Sequence, residues 1–330
     1  MSFTALVLGG TGFIGHHIAR ELLAHGHTVR ILARPGGDRS LLKGMDVEIV
    51  DGDLTDSSSL LAALEGCDTL IHAAAHYPVW SLDADREAEL GRQQILRVHE
   101  ALAKHPVERF VFVSGPAAVG RYPDGRPADE DAPWPEERRK SAYARVKREM
   151  QELVLYNARR TNATVVVPTG TFGPGDRKPT TGQLIVDIAA NRVPVALHGR
   201  TNAVSVFAVA DGVRLALEKG TVGRLYVLGD ENLTVLELCT RIADIVGVRA
   251  PRLALSPDIL RPVAVLGEHL SQRLGKERPK VPVVGLDFAL FGTHLSSDVA
   301  RQELGYDPSQ YPLDAALKDA WEWFKDQAMV

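Results

Sequence analysis

Tyr143 and Lys147 stand four residues apart in "YARVK", inside a stretch with helical character over about 141–160. That spacing puts both side chains on one helix face. A free phenol titrates near 10, so it exchanges protons usefully at neutral pH only when a neighbouring positive charge favours its ionised form. Lys147 is placed to be that charge and Tyr143 to be a general acid/base. The bland alternative is a surface pair. Ser141, an N-cap residue type just upstream, argues instead for a helix that begins at the pair. A second chemical stretch is "LGGTGFIG", with Gly9, Gly12 and Gly15 between an apolar run and a helical one. Gly9 and Gly12 let the backbone turn tightly and approach a pyrophosphate, while Gly15 lets helix and strand pack closely. Thr11, Phe13 and Ile14 line the turn, and the helix N-terminus offers its N–H groups to phosphate oxygens.

The residues that follow the next strands bear on which dinucleotide is bound. An acidic side chain after the second strand would receive the ribose 2′-hydroxyl of NAD. Here "RILARPGGDRS" has Arg34 at that place and Arg39 just beyond, two guanidiniums that suit a 2′-phosphate. NADP is therefore favoured, with NAD the alternative. Asp53 and Leu54 in "DGDLTD" follow the third strand, where an Asp can accept from an adenine amino group. Ala73, Ala74 and Ala75 in "HAAA" follow the fourth, small enough for a cofactor to come close.

These residues need a scaffold, and the hydrophobic pattern supplies one. "TALVLGG" reads as a buried strand, and "HTVRILAR", "VEIVDGD", "DTLIHAAA", "RFVFVSG" and "ATVVVPTG" read as the strands that follow it. Helical stretches near 57–65, 86–104 and 141–160 separate most of the later ones. Continuous Val/Ile/Leu strands alternating with helices predict an α/β fold, a Rossmann-type doubly wound parallel sheet covered on both faces. The expected division is a dinucleotide-binding domain over 1–170 and a smaller, mainly substrate-binding α/β lobe over 171–330. Leu313, Leu317, Trp321 and Phe324 in the tail have helical spacing and read as core. The 45% hydrophobic content suffices for a large core, and a net charge of −4 without a long basic run speaks against nucleic acid as a partner. Arg138–Lys140 beside acidic residues reads as a solvated loop. Two distant cysteines, Cys67 and Cys239, exclude a disulfide scaffold and make a zinc site improbable. No metal is expected. No apolar stretch is long enough for a membrane span and the chain opens without a signal peptide, which suggests a cytoplasmic protein.

Taken together, "GGTGFIG", "GDL" at 52–54, "HAAA", "YARVK" and "PTGTFGPGD" resemble the extended short-chain dehydrogenase/reductase family, of the NAD-dependent epimerase/dehydratase type. "VSVFAVADGVRLALEKG" and "SSDVARQELGYDP" extend the likeness over nearly the whole chain. The closest likeness is to dihydroflavonol-reductase-like and sugar-epimerase-like members. The resemblance implies that Tyr143 is the acid/base, that Lys147 holds the nicotinamide ribose and lowers the phenol's pKa, and that Pro168 borders the nicotinamide. A homodimer through the helices near 86–104 and 141–160 is a further implication.

The chain departs from that family in "SGPAAVG". The family carries two adjacent hydroxyl residues after the fifth strand, and the second polarises the substrate carbonyl. Here the pair is Ser114–Gly115. Loss of such a donor typically costs about 10²–10³ in rate. Four repairs present themselves: Ser114 after a one-residue shift, Tyr77 in "HYPVW", Thr180 or Thr181 in "KPTTG", or backbone N–H groups exposed at Gly115. An Asn usual in the preceding helix is also missing, with Gly91, Gln93 and Gln94 near its place. The pocket walls are expected from 72–80, 120–139 and 173–183, bringing His76, Tyr77, Trp80 and Trp134, with Arg177 and Lys178. His76 reads as a structural hydrogen-bonder.

Three functions follow. The leading one is an oxidoreductase moving hydride between NADP(H) and a carbonyl or secondary alcohol of a small molecule. The others are a nucleotide-sugar epimerase or dehydratase, and a non-catalytic dinucleotide sensor with a degraded site.

Overall fold

The structure, a computed structural model, describes residues 2–78, 81, 83–259 and 292–330, together with 262, 265–267 and 273. Six strands of the main sheet come from the first half of the chain: β1 (Thr4–Leu8), β2 (Thr28–Ala33), β3 (Glu48–Asp51), β4 (Thr69–His72), β5 (Arg109–Val113) and β6 (Ala163–Pro168). The later strands are β7 (Gly170–Phe172), β8 (Ala196–Leu197), β9 (Arg200–Ser205), β10 (Leu225–Leu228), β11 (Glu231–Thr234) and β12 (Ala254–Leu255). The main sheet is seven-stranded, in the order β10-β6-β5-β4-β1-β2-β3. Every neighbouring pair in it is parallel. The order reverses between β1 and β4, so a crevice opens at their carboxyl ends, the place where such sheets bind ligands.

The helices are α1 (Phe13–Ala24), α2 (Ser57–Leu64), α3 (Ala84–Lys104), α4 (Ala142–Tyr156), α5 (Ala158–Thr161), α6 (Gln183–Ala189), α7 (Val206–Lys219), α8 (Val235–Val246), α9 (Asp298–Leu304) and α10 (Leu313–Asp326). β1 explains the layering. Its side chains alternate, as a strand's must. Leu6 and Leu8 join the core under α2, α3 and α4 with Leu60, Ile95 and Met150. Ala5 and Val7 join the opposite core under α1, α7 and α9 with Ile18, Val213 and Leu304. These side chains are almost wholly buried, and each Leu, Ile or Val so placed contributes about 1.5–3 kcal/mol.

The chain beyond 170 divides its work. β10 extends the main sheet beside β6, and α7 and α9 cover one of its faces. α6, α8 and α10 form a separate core around Phe172, Leu238 and Leu317. Leu313, Leu317 and Phe324 of the tail helix are buried there, with Trp321 packed partly buried alongside. Both cysteines are buried free thiols. The solvated-loop expectation for Arg138–Lys140 needs correction at its first residue. Arg138 is 1% exposed, although Arg139 and Lys140 are exposed as expected. Among the described residues no helix is long and apolar enough to cross a membrane.

Candidate active site

The carboxyl ends of β1, β4, β5 and β6 lie side by side and gather most of the residues singled out above. Gly9 follows β1 with φ +88°, a region that side chains other than glycine's rarely enter. A Cβ there would also stand 2.9 Å from the Ala73 carbonyl group, and one at Gly15 would stand 2.1 Å from the Gly9 oxygen. Two glycines therefore bring β1, β4 and the first turn of α1 into contact. Gly12 caps α1 without a side-chain hydrogen bond, and no acidic residue occupies the first turn. The leading N–H groups of the helix are thus left to an anion. Thr11, Phe13 and Ile14 are half-buried around the turn, and Ala73, Ala74 and Ala75 border it from β4. On these observations the residues present fit a dinucleotide pyrophosphate.

The ribose side is less symmetrical than the two arginines suggest. Arg34 is exposed after β2. Asp53 accepts from the Thr55 N–H and hydroxyl, each at 2.8 Å. Those bonds, and then the Arg34 charge, hold its carboxyl below the ordinary range. Leu54 beside it packs on the core. Arg39 departs from expectation, because its guanidinium is paired with the Asp51 carboxylate on β3. Arg177 is likewise engaged, with Asp38 in the loop after β2.

α4 carries the Tyr–Lys pair. Ser141 caps it by accepting from the Ala144 N–H at 3.5 Å, which starts the helix in time to present Tyr143 on its first turn. Tyr143 and Lys147 are each 7% exposed. Burial lowers the Lys147 ammonium to about 8. Burial, followed by the neighbouring Tyr77 phenol, pushes the Tyr143 phenol up. Burial of the phenol thus acts against the lowering expected from the lysine spacing.

Gly115 faces this pair. Its backbone is extended (φ −168°, ψ 161°), a conformation open to any residue. A Cβ at this position would lie 3.1 Å from the Tyr143 hydroxyl and 3.6 Å from the Lys147 Cε. Position 115 is therefore where a side-chain hydroxyl would join Tyr143, and it has none. Ser114 is buried, and its hydroxyl finds no partner among the described residues. A one-residue shift would have to break a clamp that the sequence did not suggest. The Trp134 indole donates to the Ala117 carbonyl at 2.9 Å, Arg148 to that of Ala118 at 3.1 Å and Arg138 to that of Val119 at 2.5 Å. Trp134 thus braces the loop, with Arg139 and Arg148 over its ring.

The loop after β4 is tied to α3. Gln94 donates to the Ala74 carbonyl at 2.9 Å and accepts from the His76 N–H at 2.8 Å. The His76 ring meets Glu87 at 2.6 Å. Tyr77 follows, its ring edge-on to Tyr143 with centroids 5.0 Å apart and planes at 72°. Trp80 lies outside the described residues. At Gly91 a Cβ would stand 3.0 Å from the Met150 sulfur and 3.1 Å from a Val146 methyl, so α3 and α4 pack closely there. Pro168 ends β6 next to this region. The two threonines are committed elsewhere: Thr180 donates to the Asp176 carboxylate, and Thr181 to the Thr171 carbonyl. Gln94 was noted only for standing near the place of the missing Asn, and nothing in the sequence pattern distinguished Glu87 or Arg138 from ordinary helix and loop polar residues.

Buried imidazoles surround the site. Burial lowers His17 and His72 to about 3 and His99 to about 4. The unfolded chain takes up these protons near pH 6.5, whereas the folded one does so only far below. Stability is then full above pH 6.5 and declines as pH falls toward 4. Thermal melts are expected to show a falling Tm across that window, with a shallower slope in His17→Leu. An identical slope in that variant would contradict the assignment.

The model of the NAD dependent epimerase/dehydratase family matches residues 5–229. A putative dihydroflavonol 4-reductase of Synechocystis sp. is 34% identical, over 98% of this chain and 95% of that one. Sterol demethylase protein B of Methylococcus capsulatus is 30% identical, over 99% and 100%. The crystal structure of a nucleoside-diphosphate-sugar epimerase from Pseudomonas aeruginosa superposes with a TM-score of 0.84 at 29% identity, over 100% and 99%. With the glycine turn, the parallel sheet and the Tyr143–Lys147 pair in place, the chain is an enzyme of the NAD dependent epimerase/dehydratase family, within the extended short-chain dehydrogenases/reductases.

Proposed function

We propose that the protein is an NADP(H)-dependent oxidoreductase that reduces a carbonyl of a small molecule, or oxidises the corresponding secondary alcohol. The observation that carries this reading is the burial of Tyr143 and Lys147 side by side against Gly115, at the carboxyl end of β5. A protonated phenol is the form that can give a proton to a carbonyl oxygen as it becomes an alkoxide. Hydride exchange with the carbonyl carbon is the chemistry that a bound nicotinamide supplies. Gly9, Gly12 and the N-terminus of α1 would hold its pyrophosphate, with Pro168 and Ala73–Ala75 bordering it. The Lys147 ammonium would bind the ribose hydroxyls and keep a positive charge beside the phenol as its proton leaves. The name of the Synechocystis relative, a reductase, supports the same direction of chemistry.

Arg34 carries the preference for NADP. It is exposed at the end of β2 with no acidic side chain at the position that would bind a 2′-hydroxyl. A charge-assisted contact of this kind is worth about 1.5–3 kcal/mol, or roughly 10- to 100-fold in affinity. The test is oxidation of NADPH and of NADH against a panel of aromatic ketones, cyclic ketones and aliphatic aldehydes. The expected result is turnover of at least one carbonyl with NADPH preferred, and an Arg34→Glu variant in which that preference falls at least tenfold. Failure of every carbonyl would sink the reductase reading. Tightly retained cofactor with no net oxidation would favour the epimerase reading.

A further inference from the structure

We propose that Tyr77 supplies the second hydroxyl of the active site, the one that position 115 lacks. The inference deepens the reductase reading and rests on it. Gly115 is extended, so its backbone does not require glycine. What glycine does there is leave out the Cβ that would crowd the Tyr143 hydroxyl at 3.1 Å and touch the Lys147 stem. No side chain from β5 therefore stands at the reacting end of Tyr143. Tyr77 approaches the same phenol from the β4 side, edge-on at 5.0 Å between ring centroids. The two phenols sense each other electrostatically, since Tyr77 helps raise Tyr143.

The loop that delivers Tyr77 is already positioned. Gln94 grips the backbone of residues 74 and 76, Glu87 holds the His76 ring, and Pro78 on the far side is buried. Tyr77 therefore sits between anchored neighbours, and the entropy of placing its hydroxyl is largely met on folding. Thr180 and Thr181 close the loop after β7 through Asp176 and the Thr171 carbonyl. Ser114 is buried, and the loop that follows it is held in place at the carbonyls of Ala117, Ala118 and Val119 by Trp134, Arg148 and Arg138. A substrate carbonyl oxygen bound at the reacting end of Tyr143 receives the Tyr143 proton and a hydrogen bond from the Tyr77 hydroxyl. That donor stabilises the negative charge that develops on the oxygen, the role a serine or threonine at 115 would have had.

Tyr77→Phe keeps the ring and removes only the hydroxyl. With NADPH and the carbonyl of the panel above that turns over fastest, the variant is expected to lose about 10²-fold in kcat. Its KM for NADPH and its Tm stay at the parent values. Adding Gly115→Ser to Tyr77→Phe restores a hydroxyl from the other side, and at least tenfold of the lost rate is expected to return. The backbone admits the serine, and Tyr143 has to yield only a few tenths of an ångström. Tyr77→Phe within threefold of the parent, alongside an inactive Tyr143→Phe, overturns the assignment and leaves the reductase reading standing. A loss in Tyr77→Phe that Gly115→Ser does not restore and that comes with a raised KM for NADPH makes Tyr77 a packing residue, which also overturns it. Retained activity in Tyr143→Phe brings down the reductase reading itself.

Discussion

Tyr143→Phe is expected to lower kcat by about 10²–10⁴-fold, the range that positioned general acids contribute. Phenylalanine preserves the ring that packs against Tyr77 and removes the oxygen that faces position 115. Affinity for NADPH should stay within a few-fold, because the glycine turn, Arg34 and Lys147 are untouched. The measurement is single-turnover reduction with NADPH in excess over enzyme, read beside a binding titration. A parallel loss of cofactor affinity would mean that Tyr143 acts through the shape of the site. The loss should also respond to pH in a defined way. Burial holds the Lys147 ammonium to about 8, so its charge is present below that pH and lost above it. The parent enzyme should show an alkaline limb near pH 8, while a variant lacking the Tyr143 proton has little activity left for Lys147 to modulate.

The second large effect is expected at Gly15. An alanine Cβ would stand 2.1 Å from the Gly9 oxygen, 2.6 Å from the Gly9 carbonyl carbon and 3.0 Å from the Gly10 nitrogen. All of these are backbone atoms, so no side chain can rotate away. α1 has to move off the β1 turn, and the N–H groups at its start move with it. Overpacking of this kind costs about 1–3 kcal/mol in stability, and the displaced helix end loses its grip on the pyrophosphate. Gly15→Ala should weaken NADPH binding at least 100-fold by nicotinamide fluorescence and lower Tm by several degrees. Gly26→Ala is the matched control. Its Cβ would meet nothing within 4 Å, although φ is +78°. It should lose some stability and keep its cofactor affinity. Equal affinities in the two variants would show that the turn does not bind the dinucleotide.

The parts of this protein that were legible in the sequence are those set by local periodicity. Buried strands in a parallel sheet are continuous apolar runs, and β1, β2, β4, β5 and β6 announced themselves in this way. The glycine turn was legible because close backbone approach admits no other residue. The Tyr143–Lys147 pair was legible because a helix fixes which residues share a face.

Tertiary structure decided what depends on partners distant in the chain. Arg34 and Arg39 looked equivalent, yet pairing of β2 with β3 brings Asp51 to Arg39 alone. Arg138 looked like its solvated neighbours until folding turned it inward onto the Val119 carbonyl. Spacing revealed a lysine beside Tyr143 but not the desolvation that pushes the phenol up. Above all, "SGPAAVG" has glycine where the resemblance implies a hydroxyl, and only the approach of the β4 loop to α4 brings the Tyr77 ring against Tyr143. Periodicity along the chain is a property of neighbours. Burial and the meeting of loops are properties of the packed whole, and they decide the chemistry of this site.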